Sequence, residues 1–171
     1  MFRIPSRRAV YASVAKDPVD DRERFFHACK IARETSDDGK AFAKQGFYIL
    51  DKVVEVDTFL RTHREYITRV FETHPELAFW RFNGQNPLET PKKVKNRPHQ
   101  PGLEQRRNLL VTAGFLRDFV NSDVPKGAAV DDFLDAMACA AIARRIREGA
   151  AQPFPSSSPP DSFGLPMAIW A

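Results

Sequence analysis

At 171 residues, with 43% hydrophobic and 28% charged side chains, the chain has the length and balance of one core-forming globular domain over residues 1–171 rather than of a disordered tract. Its 26 Lys and Arg against 22 Asp and Glu leave a net charge of +4, compatible with a polyanionic partner without requiring one. No apolar run approaches the roughly 20 residues of a membrane span and residues 1–8 lack an apolar signal segment, so no membrane partner and a cytoplasmic location are expected.

Asp17-Pro18 reads as a helix start, with a helix over residues 19–34 that places Phe25, Phe26, Cys29 and Ala32 on one side. Ser36-Asp37-Asp38-Gly39 ends it. A second helix is predicted over 40–64, because Phe42, Ile49, Val53, Val56 and Leu60 recur at helical spacings and form an apolar stripe. Gly46 within it marks a bend or a close approach.

Residues 66–73 are the best strand candidate, β-branched and aromatic, and halted by Pro75. A short helix over 75–82 follows and stops at Asn83-Gly84. Residues 85–102 carry four prolines and a set of basic residues, a loop long enough to suggest function rather than plain connection. A helix over 103–121, with Leu103, Leu110, Phe115 and Phe119 facing the core, leads to a turn at Val124-Pro125-Lys126-Gly127. The strongest helix spans 129–148, closed by Gly149. A Pro/Ser linker over 152–162 precedes a final strand or docking segment at Met167-Ala168-Ile169-Trp170. A lone strand cannot satisfy its own backbone groups, so the tail is a natural partner for the 66–73 strand.

Two features carry candidate chemistry. Asp131 and Asp135, four apart, share one helix face, and Asp132 lies beside them. Glu76 stands just beyond the strand end, where sites of α/β folds gather. Oxygen-only ligands of this kind suit Mg²⁺ or Mn²⁺, and paired cations held by shared carboxylates promote phosphoryl hydrolysis. The same acids at helix starts also serve as caps and complement the helix dipole, and Asp132 is the one most readily explained that way. His74, before a proline, is either a base or a helix cap. Lys92, Lys93, Lys95, Arg97, Arg106 and Arg107 fall within sixteen residues, either a nucleic-acid surface or solvated charge. Cys29 and Cys139 have no metal-binding spacing and read as free, buried thiols.

Taken in order, His74-Pro75-Glu76 with Phe79-Trp80, then Asn83-Gly84, Pro87-Leu88, Pro91-Lys92-Lys93, Arg106-Arg107 with Leu109-Leu110, the Asp131-Asp132-Phe133-Leu134-Asp135-Ala136 stretch, Ala143-Arg144-Arg145-Ile146 and the closing Gly164-Leu165, Met167 and Ile169-Trp170 resemble the "domain of unknown function 429" family. The match extends to Lys44-Gln45, Ile49-Leu50 and Glu55-Val56-Asp57 ahead of the strand. The resemblance implies an α/β chain forming the helix-rich C-terminal portion of a ribonuclease-H-like fold. It also implies a predicted nuclease with Glu76, Asp131 and Asp135 as catalytic acids, the three helix aspartates as metal ligands, and Lys92, Lys93, Lys95, Arg106 and Arg107 on nucleic acid. Family members also carry an Asp on each of two earlier strands, and no such segments occur here. The resemblance therefore implies an incomplete acidic site, negligible cleavage by this chain alone, and uncovered strand edges that favour self-association. A non-catalytic binding protein derived from the same fold is the alternative.

Overall fold

Apolar side chains gather the described helices of this protein around two separate cores. The computed structural model describes residues 5–15 and 20–171. The chain divides into two compact units, Met1–Tyr66 and Ile67–Ala171. It mixes helices with short strands, as the α/β reading expects.

The first unit contains α1 (Arg7–Ser13), α2 (Asp21–Thr35), α3 (Lys44–Phe47) and α4 (Leu50–Thr62). The Asp17-Pro18 start lies outside the described residues; within them, the Asp20 carboxylate accepts the Glu23 N–H at 2.9 Å and caps α2. Cys29 and Ala32 are buried as predicted, and Phe25 meets Phe42 and Phe47 edge to face. Phe26 instead lies outside the core, 55% exposed.

The predicted 40–64 helix is two helices. Ile49 N–H bonds the Gly46 carbonyl three residues back at 3.2 Å, a tightened turn that ends α3 and resets the helical register. Phe47 and Leu50 enter the core, while Ile49, Val53 and Val56 turn outward, so of the predicted stripe only Phe42 is buried and Leu60 partly so. The inner face of α4 instead presents Asp57, which accepts from Arg7 (2.8 Å) and from the Tyr11 hydroxyl (2.6 Å).

In the second unit only the end of the predicted 66–73 strand is extended: β1 is Glu72–Thr73, after a 3₁₀ turn at Arg64–Tyr66 and further turns over 67–69. The tail supplies its partner. β5 (Ile169–Trp170) lies between β1, which it joins in parallel, and β4 (Pro153–Phe154), which it joins antiparallel. Glu72 is registered with Ile169 and Thr73 with Trp170. Thr73 Oγ1 donates to the Trp170 carbonyl at 2.9 Å, and Phe71 sets its ring edgewise on Trp170. The 152–162 segment is therefore part sheet rather than all linker.

α5 (Pro75–Phe82) has the predicted bounds, and α8 (Val130–Arg147) differs from its prediction by one residue at each end, with Gly149 in the left-handed conformation just beyond. The predicted 103–121 helix is divided into α6 (Gln100–Thr112) and α7 (Arg117–Val120) at Gly114, whose φ of +100° ends the first helix. The reset exposes Phe119 and buries Val120 in its place. Phe79, Leu103, Leu110, Leu134 and Ile142, all fully buried, join α5, α6 and α8 around one core. Each contributes about 1.5–3 kcal/mol through removal from water. The 85–102 loop holds a small hairpin, β2 (Lys93–Val94) and β3 (Arg97–Pro98). No helix among the described residues is long and apolar enough to cross a membrane. Cys29 and Cys139 are both free.

Candidate functional site

α5 begins where the sequence dictates. His74 is extended (φ −119°, ψ 123°), as a residue before proline must be, and Pro75 occupies the first helical position. Glu76 therefore stands on the first turn, and the His74 side chain makes no capping bond.

Glu76 is gripped from α6. Arg106, 3% exposed, donates from Nη2 to both Glu76 carboxylate oxygens (2.7 and 2.9 Å) and from Nε to one of them (3.3 Å). Its Nη1 donates to the carbonyls of Thr90 and Gly102, and its guanidinium lies over the Phe79 ring. These Arg106 donors are thus directed to Glu76 and to backbone carbonyls.

The 85–102 loop is pressed onto α6 at the same place. A Cβ on Gly102 would stand 2.0 Å from the Pro91 carbonyl oxygen, so only glycine admits this approach. His99 adds two bonds, its N–H to the Lys92 carbonyl (2.9 Å) and its Nδ1 within 3.1 Å of the Pro91 carbonyl. Residues 90–92 are consequently fixed, and with them the start of the lysine pair.

Lys92 pairs with the Asp135 carboxylate on α8 and lies 3.9 Å from Glu76. Lys93 pairs with buried Asp131 at 2.6 Å. Two lysines thus bring together Glu76, Asp131 and Asp135, acids from two helices that are far apart in sequence. The other oxygen of Asp135, Oδ1, is buried and has no hydrogen-bond partner among the described residues. Asp132 is apart from this group, exposed, with its carboxylate accepting the Ala129 N–H at 3.3 Å as a helix cap. Among the described residues, no set of three or more His, Cys, Asp or Glu side chains is clustered closely enough to hold a metal ion.

The two aspartates differ in electrostatics. Burial pushes both upward. For Asp131 the Lys93 hydrogen bond and the Lys93 and Lys92 charges outweigh burial and hold its carboxyl below the ordinary 3.8. For Asp135 burial wins against Lys92, helped by the negative charges of Glu76 and Asp131, and its carboxyl is raised. The Asp131 hydrogen bond holds the Lys93 ammonium above its usual range.

Beside these groups opens a cleft of about 660 Å³, lined by Glu76, Lys92, Lys93 and Arg106 and by apolar Trp80, Pro87 and Leu88. Lys95 and Arg97 are exposed on the adjoining hairpin, and Arg107 pairs with Glu104 at 3.5 Å. Trp80 entered the sequence reading only as part of the family motif, with no role assigned to it. The signal was present: it stands four residues beyond Glu76, hence on the same face of α5.

A family model described as "Protein of unknown function (DUF429)" matches residues 1–159. No curated protein and no solved structure matches the chain.

Proposed function

The chain belongs to the DUF429 family, and from that premise we propose that the cleft is its share of a phosphodiester-recognising, metal-dependent site of the ribonuclease-H-like kind. One observation carries the reading: the unpartnered, buried Oδ1 of Asp135, beside a carboxylate oxygen already neutralised by lysine. A buried acceptor without a partner is costly, and a hard cation or a proton is what satisfies it. The donors are all carboxylate oxygens, which suits Mg²⁺ or Mn²⁺. Asp135 and Glu76 would hold such an ion only once drawn closer, since as they stand the described acids are not clustered tightly enough to enclose one and Arg106 occupies both oxygens of Glu76. When bound, the ion supplies Lewis acidity and a water acidified toward neutrality.

The remaining roles belong to the chain itself. Lys92 and Lys93 each have three ammonium donors, so they can bind phosphate oxygens while loosening from their acids. Arg106 orients Glu76 from behind. Lys95 and Arg97 extend the positive field along a nucleic-acid backbone. The set of Asp131, Asp132 and Asp135 is thereby narrowed, with Asp132 as a cap.

A second reading rests on a specific observation. Glu76, Asp131 and Asp135 are already matched by Lys92, Lys93 and Arg106, a charge balance that a purely binding surface would also have.

A nicking assay on plasmid and oligonucleotide substrates, with Mg²⁺ or Mn²⁺, separates the two. The nuclease reading expects cleavage that is metal-dependent but negligible with these acids alone, seen only at high protein concentration and long incubation, and abolished by Asp135→Asn. Nucleic acid bound through Lys92 and Lys93 but never cut would favour the binding protein. Cleavage unaffected by Asp135→Asn would show that the site is elsewhere.

A further inference from the structure

The cleft has two kinds of wall, and only one of them is explained by phosphate. Lys92 and Lys93, with the carboxylates of Glu76 and Glu89, form the charged wall; Trp80, Pro87 and Leu88 form an apolar one beside it. Trp80 is only partly buried, with the Phe154 ring meeting it edge on at 5.9 Å and the Arg81 guanidinium 5.4 Å from its ring centre. The indole is thus braced by neighbours while still lining the cavity. A volume of about 660 Å³ exceeds what a phosphate group alone requires.

We infer that the cleft takes an unpaired nucleobase against Trp80 while the adjoining phosphates meet Lys92 and Lys93, so that the preferred ligand is single-stranded nucleic acid. The inference rests on the phosphodiester reading above and narrows it. A duplex keeps its bases stacked and paired inside, with no ring face free for an indole. A single strand offers both ring faces and backbone charge, and an aromatic platform beside basic side chains is the usual means of binding it. The hairpin supports the same ligand. Lys95 and Asn96 form its two-residue turn, both with positive φ (48° and 61°), and this tight turn keeps the basic residues Lys93, Lys95 and Arg97 close together along one short segment.

Equilibrium titrations of the whole chain by fluorescence anisotropy, without divalent ions, test this with three labelled probes. These are a short single strand, the same strand with abasic sites in place of its bases, and the corresponding duplex. The intact single strand is expected to bind at least about tenfold tighter than the abasic strand, the range that stacking of one base supplies. Trp80→Leu should erase that difference and leave abasic binding unchanged, Trp80→Phe should keep most of it, and Lys92→Met with Lys93→Met should weaken both strands. Equal binding of intact and abasic strands, still dependent on the lysines, would overturn the nucleobase site and leave the phosphodiester reading standing. Preference for the duplex would overturn it likewise. No binding of any probe at low salt would overturn both. The intact-versus-abasic comparison uses the unaltered protein, so it decides the matter even if Trp80→Leu fails to fold.

Discussion

Arg106 and Glu76 form a forked ion pair between α6 and α5, with Nη2 2.7 and 2.9 Å from the two carboxylate oxygens. The same guanidinium ties down Thr90, so one buried side chain couples the position of the glutamate to that of the lysine loop.

Arg106→Met should therefore destabilise the protein by about 2–4 kcal/mol, because it removes several charge-assisted bonds and leaves the Thr90 and Gly102 carbonyls to find other donors. Thermal unfolding should show a fall of roughly 4–16 °C. Arg106→Lys should recover less than half of this, since an ammonium cannot reproduce the fork. Full rescue by lysine would mean that charge alone matters there.

Gly102→Ala reverses the ordinary sign of its substitution. Within a helix, alanine is normally about 1 kcal/mol better than glycine. Here the added methyl would stand 2.0 Å from the Pro91 oxygen and 2.6 Å from its carbonyl carbon. Denaturant unfolding should show a loss of about 1–3 kcal/mol, as overpacking against backbone does. The variant should also lose oligonucleotide affinity, because residues 91–93 are displaced. A stabilised variant would contradict the close approach.

Asp131 and Asp135 should respond to neutralisation in opposite directions. The lowered carboxyl of Asp131 contributes stability that is fully present above the ordinary 3.8 and lost as pH falls through its folded value. The raised carboxyl of Asp135 costs stability above its folded value, and that cost disappears as pH falls toward the ordinary 3.8. At pH 7 without divalent ions, Asp131→Asn should lower the denaturation midpoint, and Asp135→Asn should leave it equal or raise it. Below about pH 4 the Asp131→Asn deficit should shrink. Equal losses for both variants at pH 7 would mean that Lys92 stabilises Asp135 more than burial penalises it.

Much of the second unit was legible from local signals. The His74-Pro75 junction fixed the start of α5, Gly149 the end of α8, and the need of a lone strand for partners pointed to Ile169 and Trp170. The failures have separate physical origins. The stripe of Ile49, Val53 and Val56 has helical spacing, but the tightened turn at Gly46 rotates it out of the core, and periodicity cannot report a register reset. The strand reading of residues 66–69 followed β-propensity, which turn formation overrode. Charge and spacing singled out acids and lysines that the fold pairs with one another. They could not reveal that Arg106 is directed inward, because that depends on Gly102 admitting the Pro91 backbone.

The most direct measurement is Mn²⁺ binding, followed by electron paramagnetic resonance of the free ion, to the unaltered chain, to Asp135→Asn and to Lys92→Met. If Asp135 and Glu76 form a cation site, the unaltered chain binds Mn²⁺ and Asp135→Asn binds it at least about tenfold more weakly, the loss expected when a carboxylate ligand becomes an amide. Lys92→Met should bind it more tightly, since the competing ammonium is gone. Absence of binding, or one affinity shared by all three proteins, would contradict the account.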